Sequence, residues 1–195
     1  MASEGRLGVR LFVALDIPDA IRDRIRTLVV RLKPLAKDAR WASVEGMHIT
    51  LKFIGHVEKE QCEPIRAALS SVHRSAPVEM RFRGVGFFPS GRRPRVLWCG
   101  IEPSANLAEL AQDIERALAP LGIPTEKRDF QPHLTLARFD PPHRLGPLLP
   151  VAEEIQSLDL GATRETRFHL FESVLKRSGA EYTKLHSFPF VREPA

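Results

Sequence analysis

Histidine and threonine stand two residues apart twice in this chain, as His48 and Thr50 in HITL and as His133 and Thr135 in HLTL. Imidazole titrates near neutral pH, so of two histidines at one site one can take a proton while the other gives one, with no cofactor. Hydroxyls beside them donate hydrogen bonds to the non-bridging oxygens of a phosphoryl group, where charge collects during displacement. In-line displacement at phosphorus asks for that division of labour: a base beside the attacking oxygen and an acid beside the departing one. A single histidine in a strand is ordinarily structural. With seven His and seven Thr among 195 residues, a second pair at a preset position arises between unrelated segments about once in a thousand, and more often between copies of shared descent.

Around each pair apolar and polar residues alternate as in a strand, so neighbours project to opposite faces. His48, Thr50 and Lys52 should then share one face, with Ile49, Leu51 and Phe53 behind them; His133 and Thr135 share another, with Leu134 and Leu136 behind. Strict alternation turns Arg138 away from His133, and only a strand end or a β-bulge would bring it round. Lys52 reads equally as a phosphate ligand and as a structural lysine with a buried stem. Trp41, Phe12 and Phe139 are candidate stacking surfaces for a base, with core packing the stronger expectation for Phe12. His56, His73, His143, His169 and His186 have no repeated partner and read as structural or surface residues.

The elements that must carry these residues repeat as well. Displaced by 85 positions, LFVALDIP (11–18) falls on VLWCGIEP (96–103), His48 on His133 and Thr50 on Thr135, without a gap. Each apolar run ends at a proline that opens an amphipathic helix. The first helix spans 19–32, with Ile21, Ile25, Leu28, Val29 and Leu32 on one side; the second spans 104–118, with Leu107, Leu110, Ile114 and Leu118. Helices are expected again after the motifs, at 58–72 and 148–157, and strands at 80–88, 167–175 and 182–190, where β-branched and aromatic residues are bounded by Gly and Pro. The segments 88–95, with Arg92, Arg93 and Arg95, and 139–150 are rich in Pro and Gly and read as connections, the arginines as a phosphate-reaching lip or a soluble turn, with the turn favoured because exposed arginines are common. A duplication of this length is two copies of one unit, not a solenoid. The expected fold is α+β and bilobal, with two pseudo-twofold-related lobes of antiparallel-type sheets, helices outside and a central cleft. It forms one domain over 1–195 built from two intertwined repeats, motif 1 at 48–51 and motif 2 at 133–136.

At 195 residues and 43% hydrophobic, the chain can bury a core unaided. Cys62 and Cys99 are too few and too isolated for a disulfide framework or a zinc knuckle, so a reduced, cytoplasmic setting is expected. The apolar run near the N-terminus is short and broken by Asp16 and Pro18, which argues against a signal peptide or a membrane span, and a monomer is the expected state. A formal charge of +5, carried mostly by arginine, favours an anionic partner, though weakly.

These motifs, with VRLFVALDIP before the first, RRPRVLW and PHLTLAR around the second and FESVLKRSGAEYTKLHSFPF at the end, resemble the two-histidine (2H) phosphoesterases. Within that group they are most similar to the RNA 2′,3′-cyclic phosphodiesterases also called 2′-5′ RNA ligases. The resemblance runs from about Arg10 to Val191. It implies a bilobal fold with a central cleft, and hydrolysis of a 2′,3′-cyclic phosphate at an RNA end or on a nucleotide to a 2′-phosphomonoester. It implies no metal and no other cofactor, and allows reversible 2′-5′ RNA ligation beside hydrolysis. It implies further that His48 is the proton donor to the leaving oxygen and His133 the acceptor from water, that Thr50 and Thr135 bind the phosphate, and that Arg138 lies near it. The residues by themselves leave open which histidine is acid and which is base. Two other readings stay open at this level. One is a metal-dependent phosphohydrolase with His48 and His133 as ligands, disfavoured because close His/Asp pairs are missing and threonine is a poor ligand. The other is a nucleotide-binding module that uses the same cleft without turnover.

Overall fold

The apolar run that begins the first copy forms β1 (Val9–Leu15), which leads through Pro18 into α1 (Asp19–Leu32); the Pro18 carbonyl accepts the amides of Ile21 and Arg22 at 2.9 and 3.0 Å. The computed structural model describes residues 8–73, 76–90, 93–103, 105–140, 145–176 and 179–190; Arg92 and His143 lie outside the described residues. α1 buries Ile21, Ile25, Leu28 and Leu32, each contributing about 1.5–3 kcal/mol relative to exposure. A two-residue strand, β2 (Arg40–Trp41), precedes the first motif strand, β3 (Ile49–Val57). Then come a 3-10 turn at Lys59–Gln61, α2 (Cys62–Ser70) and β4 (Val78–Phe88). The second copy supplies β5 (Val96–Pro103), α3 (Ala105–Leu118), the second motif strand β6 (His133–Arg138), α4 (Leu148–Glu154) and β7 (Asp159–Glu165). The long strands β8 (Arg167–Lys176) and β9 (Gly179–Pro189) close the described chain.

The strands form two antiparallel sheets, ordered β3-β1-β8-β9 and β2-β6-β5-β4-β7. Leaving β2 aside, both orders are alike: motif strand, first strand of that copy, then two further strands. β4 leaves the first copy to join the second sheet, and β8 and β9 return to complete the first. The fold is α+β and bilobal, as the sequence leads one to expect.

Helices cover one face of each sheet. α1 reaches β7, where Arg24 donates to the Leu160 carbonyl at 3.2 Å, and α3 reaches β3. One continuous apolar core therefore runs through both lobes. A separate small cluster of Phe12, Ala14 and Phe171 occupies the helix-free face of the first sheet. Among the described residues no helix is long and apolar enough to cross a membrane.

Candidate active site

The motif strands β3 and β6 belong to different sheets and approach one another where the lobes meet. Directly opposed residues of an antiparallel pair share a face, so the register assigns each side chain. Ala14 opposes Thr50 and Val13 opposes Lys52, which leaves Leu51 as an extra residue in β3. Trp98 opposes Thr135 and Leu97 opposes Ala137, which leaves Leu136 extra in β6. The two bulges stand at equivalent places, one residue beyond the threonine of each motif.

A bulge reverses the alternation of everything downstream of it. Lys52 consequently leaves the His48 face, which corrects the expectation that His48, Thr50 and Lys52 line up. Its side chain is buried; Nζ lies 2.7 Å from both carboxylate oxygens of Glu115 on α3 and 2.6 Å from the Pro124 carbonyl oxygen. Phe53 takes the vacated side instead. It is 50% exposed, stacked on Phe12 at 6.1 Å, with the Arg10 guanidinium 4.9 Å from its ring centre. In β6 the same reversal brings Arg138 inward. Gly100, Trp98 and Val96 alternate along β5 and oppose His133, Thr135 and Arg138 in turn, so these three share one face.

Both imidazoles are held alike. His48 Nδ1 lies 2.9 Å from the Gly46 carbonyl oxygen, and His133 Nδ1 lies 2.8 Å from that of Gln131. A carbonyl only accepts, so Nδ1 carries a proton in each ring and Nε2 is the nitrogen left to take or give one. Their surroundings differ. His48 packs against Phe12 at 4.5 Å, meets Tyr182 edge-on at 4.8 Å and has Phe171 at 6.0 Å. Burial pushes its pKa below the ordinary imidazole value; the Gly46 carbonyl and Asp16 oppose that shift, and Arg22 adds to it. His133 instead faces the edge of Phe88 at 5.1 Å, and Phe88 packs on Trp98 at 5.0 Å. The Trp98 ring fills the space beside Gly86, where a Cβ would come within 2.2 Å of it. Thr50 and Thr135 are half-buried on these same faces.

Next to His48 the first sheet carries a polar group that the sequence motifs do not announce. Asp16 Oδ2 lies 3.3 Å from His169 Nε2 and 2.5 Å from Lys184 Nζ, while Ser187 Oγ is 2.8 Å from His169 Nδ1. Burial pushes the His169 pKa down to about 4; Asp16 pulls it upward, and Lys184 and Arg167 reinforce the fall. Two of the three candidate stacking residues are elsewhere. Trp41 opposes Ala137 on the helix-covered side and donates Nε1–H to the Ala36 carbonyl at 3.1 Å, and Phe139 belongs to the core. Neither presents a ring to the cleft. Phe12 does lie on the cleft face, beneath His48. Among the described residues no group of three or more His, Cys, Asp or Glu is arranged to hold a metal ion.

Residues 17–175 match the family model of the 2′-5′ RNA ligase superfamily. The chain belongs to that superfamily. Its relatives include the RNA 2′,3′-cyclic phosphodiesterase of Archaeoglobus fulgidus, 33% identical over 92% of this chain and 99% of that protein. That of Methanothermobacter thermautotrophicus is 30% identical over 92% and 98%. Among solved structures, a Thermus thermophilus protein superposes with a TM-score of 0.79 at 27% identity, covering 93% of this chain and 97% of its own. E. coli LigT complexed with 3′-AMP superposes at 0.76 and 24% identity, covering 95% and 99%, and so shares the fold. The superfamily member described here therefore has, on the helix-free face of each sheet, one His-x-Thr pair with its bulge directly behind it.

Proposed function

We propose that this superfamily member hydrolyses 2′,3′-cyclic phosphates, at RNA ends or on nucleotides, to 2′-phosphomonoesters, with proton transfer shared between His48 and His133 and no metal. The observation that carries this reading is the matched presentation of the two imidazoles: each has Nδ1 fixed by the carbonyl two residues earlier and Nε2 left to exchange a proton, on strands that approach where the lobes meet. The names of the relatives support the same substrate class. His133 Nε2 removes a proton from water, whose oxygen attacks phosphorus. The P–O3′ bond breaks, and His48 Nε2 delivers its proton to the leaving 3′-oxygen. Thr50 and Thr135 donate hydrogen bonds to the non-bridging oxygens, and Arg138 supplies positive charge to the phosphate.

The depressed pKa of His48 fits this role once substrate is counted. Burial favours the neutral ring; a phosphate anion beside Nε2 favours the charged form, so substrate itself promotes loading of the acid. With a 5′-hydroxyl attacking phosphorus in place of water, the same steps join the cyclic end to that hydroxyl in a 2′-5′ bond and leave a free 3′-hydroxyl. On this reading the chain acts as one domain of two interlocked repeats, as a monomer in the cytoplasm.

The test is product analysis, in EDTA, of an oligoribonucleotide ending in a 2′,3′-cyclic phosphate. The 2′-monoester is expected, and His48→Ala and His133→Ala should each slow its formation by about 10²–10⁴. A 3′-monoester, or activity abolished by EDTA and restored by a divalent metal, would overturn the proposal; tight binding with no turnover would make the protein a binding module.

A further inference from the structure

We infer that Arg22 is a positioning residue for the proton donor: it clamps the turn whose last carbonyl holds the His48 ring, and the second lobe has no counterpart to it. This rests on the function proposed above and adds the group that aims one of its two histidines.

His48 stands one residue before β3, beyond the last pair of the ladder, Leu15 with Ile49, so the sheet alone does not fix it. Its ring is set by the Gly46 carbonyl at the end of a turn. In that turn the Gly46 amide donates to the Ser43 carbonyl at 3.1 Å and the Met47 amide to the Val44 carbonyl at 3.2 Å. The Met47 amide and the Gly46 carbonyl are two ends of one planar peptide, so whatever holds the Val44 carbonyl also orients the acceptor of the His48 proton. Arg22 holds it. Nη1 donates to the Val44 carbonyl at 2.7 Å and to the Glu45 carbonyl at 2.8 Å, and with two hydrogens one guanidinium nitrogen satisfies both. The Arg22 side chain is only 17% exposed, and its nearest carboxylate, that of the exposed Asp19, is 3.8 Å away. Its hydrogen bonds go to the turn, where a charged donor is worth more than a neutral one.

The two lobes differ here. His133 lies inside β6, opposite Gly100, so the ladder itself holds its backbone. Displaced by 85 positions, Arg22 falls on Leu107, a buried side chain with nothing to donate. The clamp therefore belongs to the lobe whose histidine lies beyond its ladder. An acid in that place needs it. When Nε2 gives up its proton the ring keeps the one on Nδ1, and which nitrogen is protonated is set by the hydrogen bond the other makes. A Gly46 carbonyl held in place favours that form of the ring and keeps Nε2 aimed into the cleft.

The experiment records nitrogen NMR of the imidazoles at alkaline pH, where both rings are neutral, in wild type and in Arg22→Met, which keeps the packing of the stem. Wild type should show Nδ1–H and a bare Nε2 in both rings. In Arg22→Met the His48 ring should become a mixture of the two tautomers, while His133 in the same spectrum stays as it was. Turnover of a 2′,3′-cyclic mononucleotide is read on the plateau of each variant's pH profile, because burial and then the Arg22 charge lower the His48 pKa. There kcat should fall about 10–100-fold, the effect of removing a group that orients a functional histidine, with KM near that of wild type. Arg26→Ala, which breaks the exposed pair with Glu45 and leaves both carbonyls bound, should keep the wild-type tautomer and kcat. An unchanged His48 tautomer in Arg22→Met, an equal change in both rings, a rise in KM alone, or an equal loss in Arg26→Ala would overturn the inference. Where Arg22→Met does not fold, Arg22→Lys carries the same readout: a smaller shift of the His48 tautomer supports the clamp, and none overturns it. If wild type opens no cyclic phosphate, the catalytic reading fails, and the tautomer still decides the clamp.

Discussion

Lys52 offers the sharpest contrast between two roles for one residue, because two positions after Thr50 it would point at the phosphate but for the bulge at Leu51. Lys52→Met keeps the packing of the stem and deletes the ammonium. It strands the Glu115 carboxylate, whose side chain is 22% exposed, and the Pro124 carbonyl. Breaking a buried ion pair from one side costs about 3–5 kcal/mol; Glu115 keeps some water, which favours the lower end, about 3 kcal/mol. Adding Glu115→Gln removes the stranded charge, and the double variant should lose only about 1 kcal/mol, about 2 kcal/mol less than Lys52→Met alone, the non-additivity that marks a shared ion pair. Urea unfolding at pH 7 reads these values. In parallel, turnover of a cyclic mononucleotide per folded molecule should be unaffected in Lys52→Met. A stability loss under about 1 kcal/mol accompanied by collapse of turnover would show the ammonium serving the phosphate, and would refute the face assignment drawn from the register.

Two further outcomes concern histidines on the first sheet. Tyr182→Ala opens the edge of the His48 ring to water; relief of desolvation should raise the His48 pKa toward its ordinary value in an NMR titration and carry the alkaline limb of the kcat/KM profile upward with it, and a fall would contradict the cause assigned to the shift. His169 is depressed in the folded protein to about 4, so between there and the ordinary value near 6.5 the unfolded chain binds a proton that the folded one refuses. Stability should therefore be level above pH 6.5 and decline as pH falls toward 4. In His169→Gln the urea midpoint should lose part of that decline; an unchanged slope would show that the group does not drive it.

The apolar runs and their helices are readable because each has a strong period: Ile21, Ile25, Leu28 and Leu32 in α1, and Leu107, Leu110, Ile114 and Leu118 in α3, are the residues that are buried. α2 and α4 are shorter than their expected spans because the chain enters α2 through a 3-10 turn and leaves α4 at Glu154. β2 and β7 give no signal. Two residues cannot show a period, and β7 is largely polar, with Gly161 at φ 104°. The exchange of β4 and β8 between sheets is a matter of hydrogen-bond partners far apart in sequence, which local pattern does not encode. Alternation misplaces Lys52 for a related reason: no glycine or proline marks the bulge at Leu51, and its existence depends on the register with β1. The condition under which Arg138 turns inward can be stated from alternation alone, and the Leu136 bulge meets it.

The site of each bulge has a consequence for how the two halves can diverge. Because the phase of the strand slips only after the histidine and threonine, a substitution farther along redecorates the rim of the cleft while the reacting groups stay in step. At the first such position one lobe has Phe53 and the other Arg138. A molecule assembled twice on one plan thereby gains a front and a back.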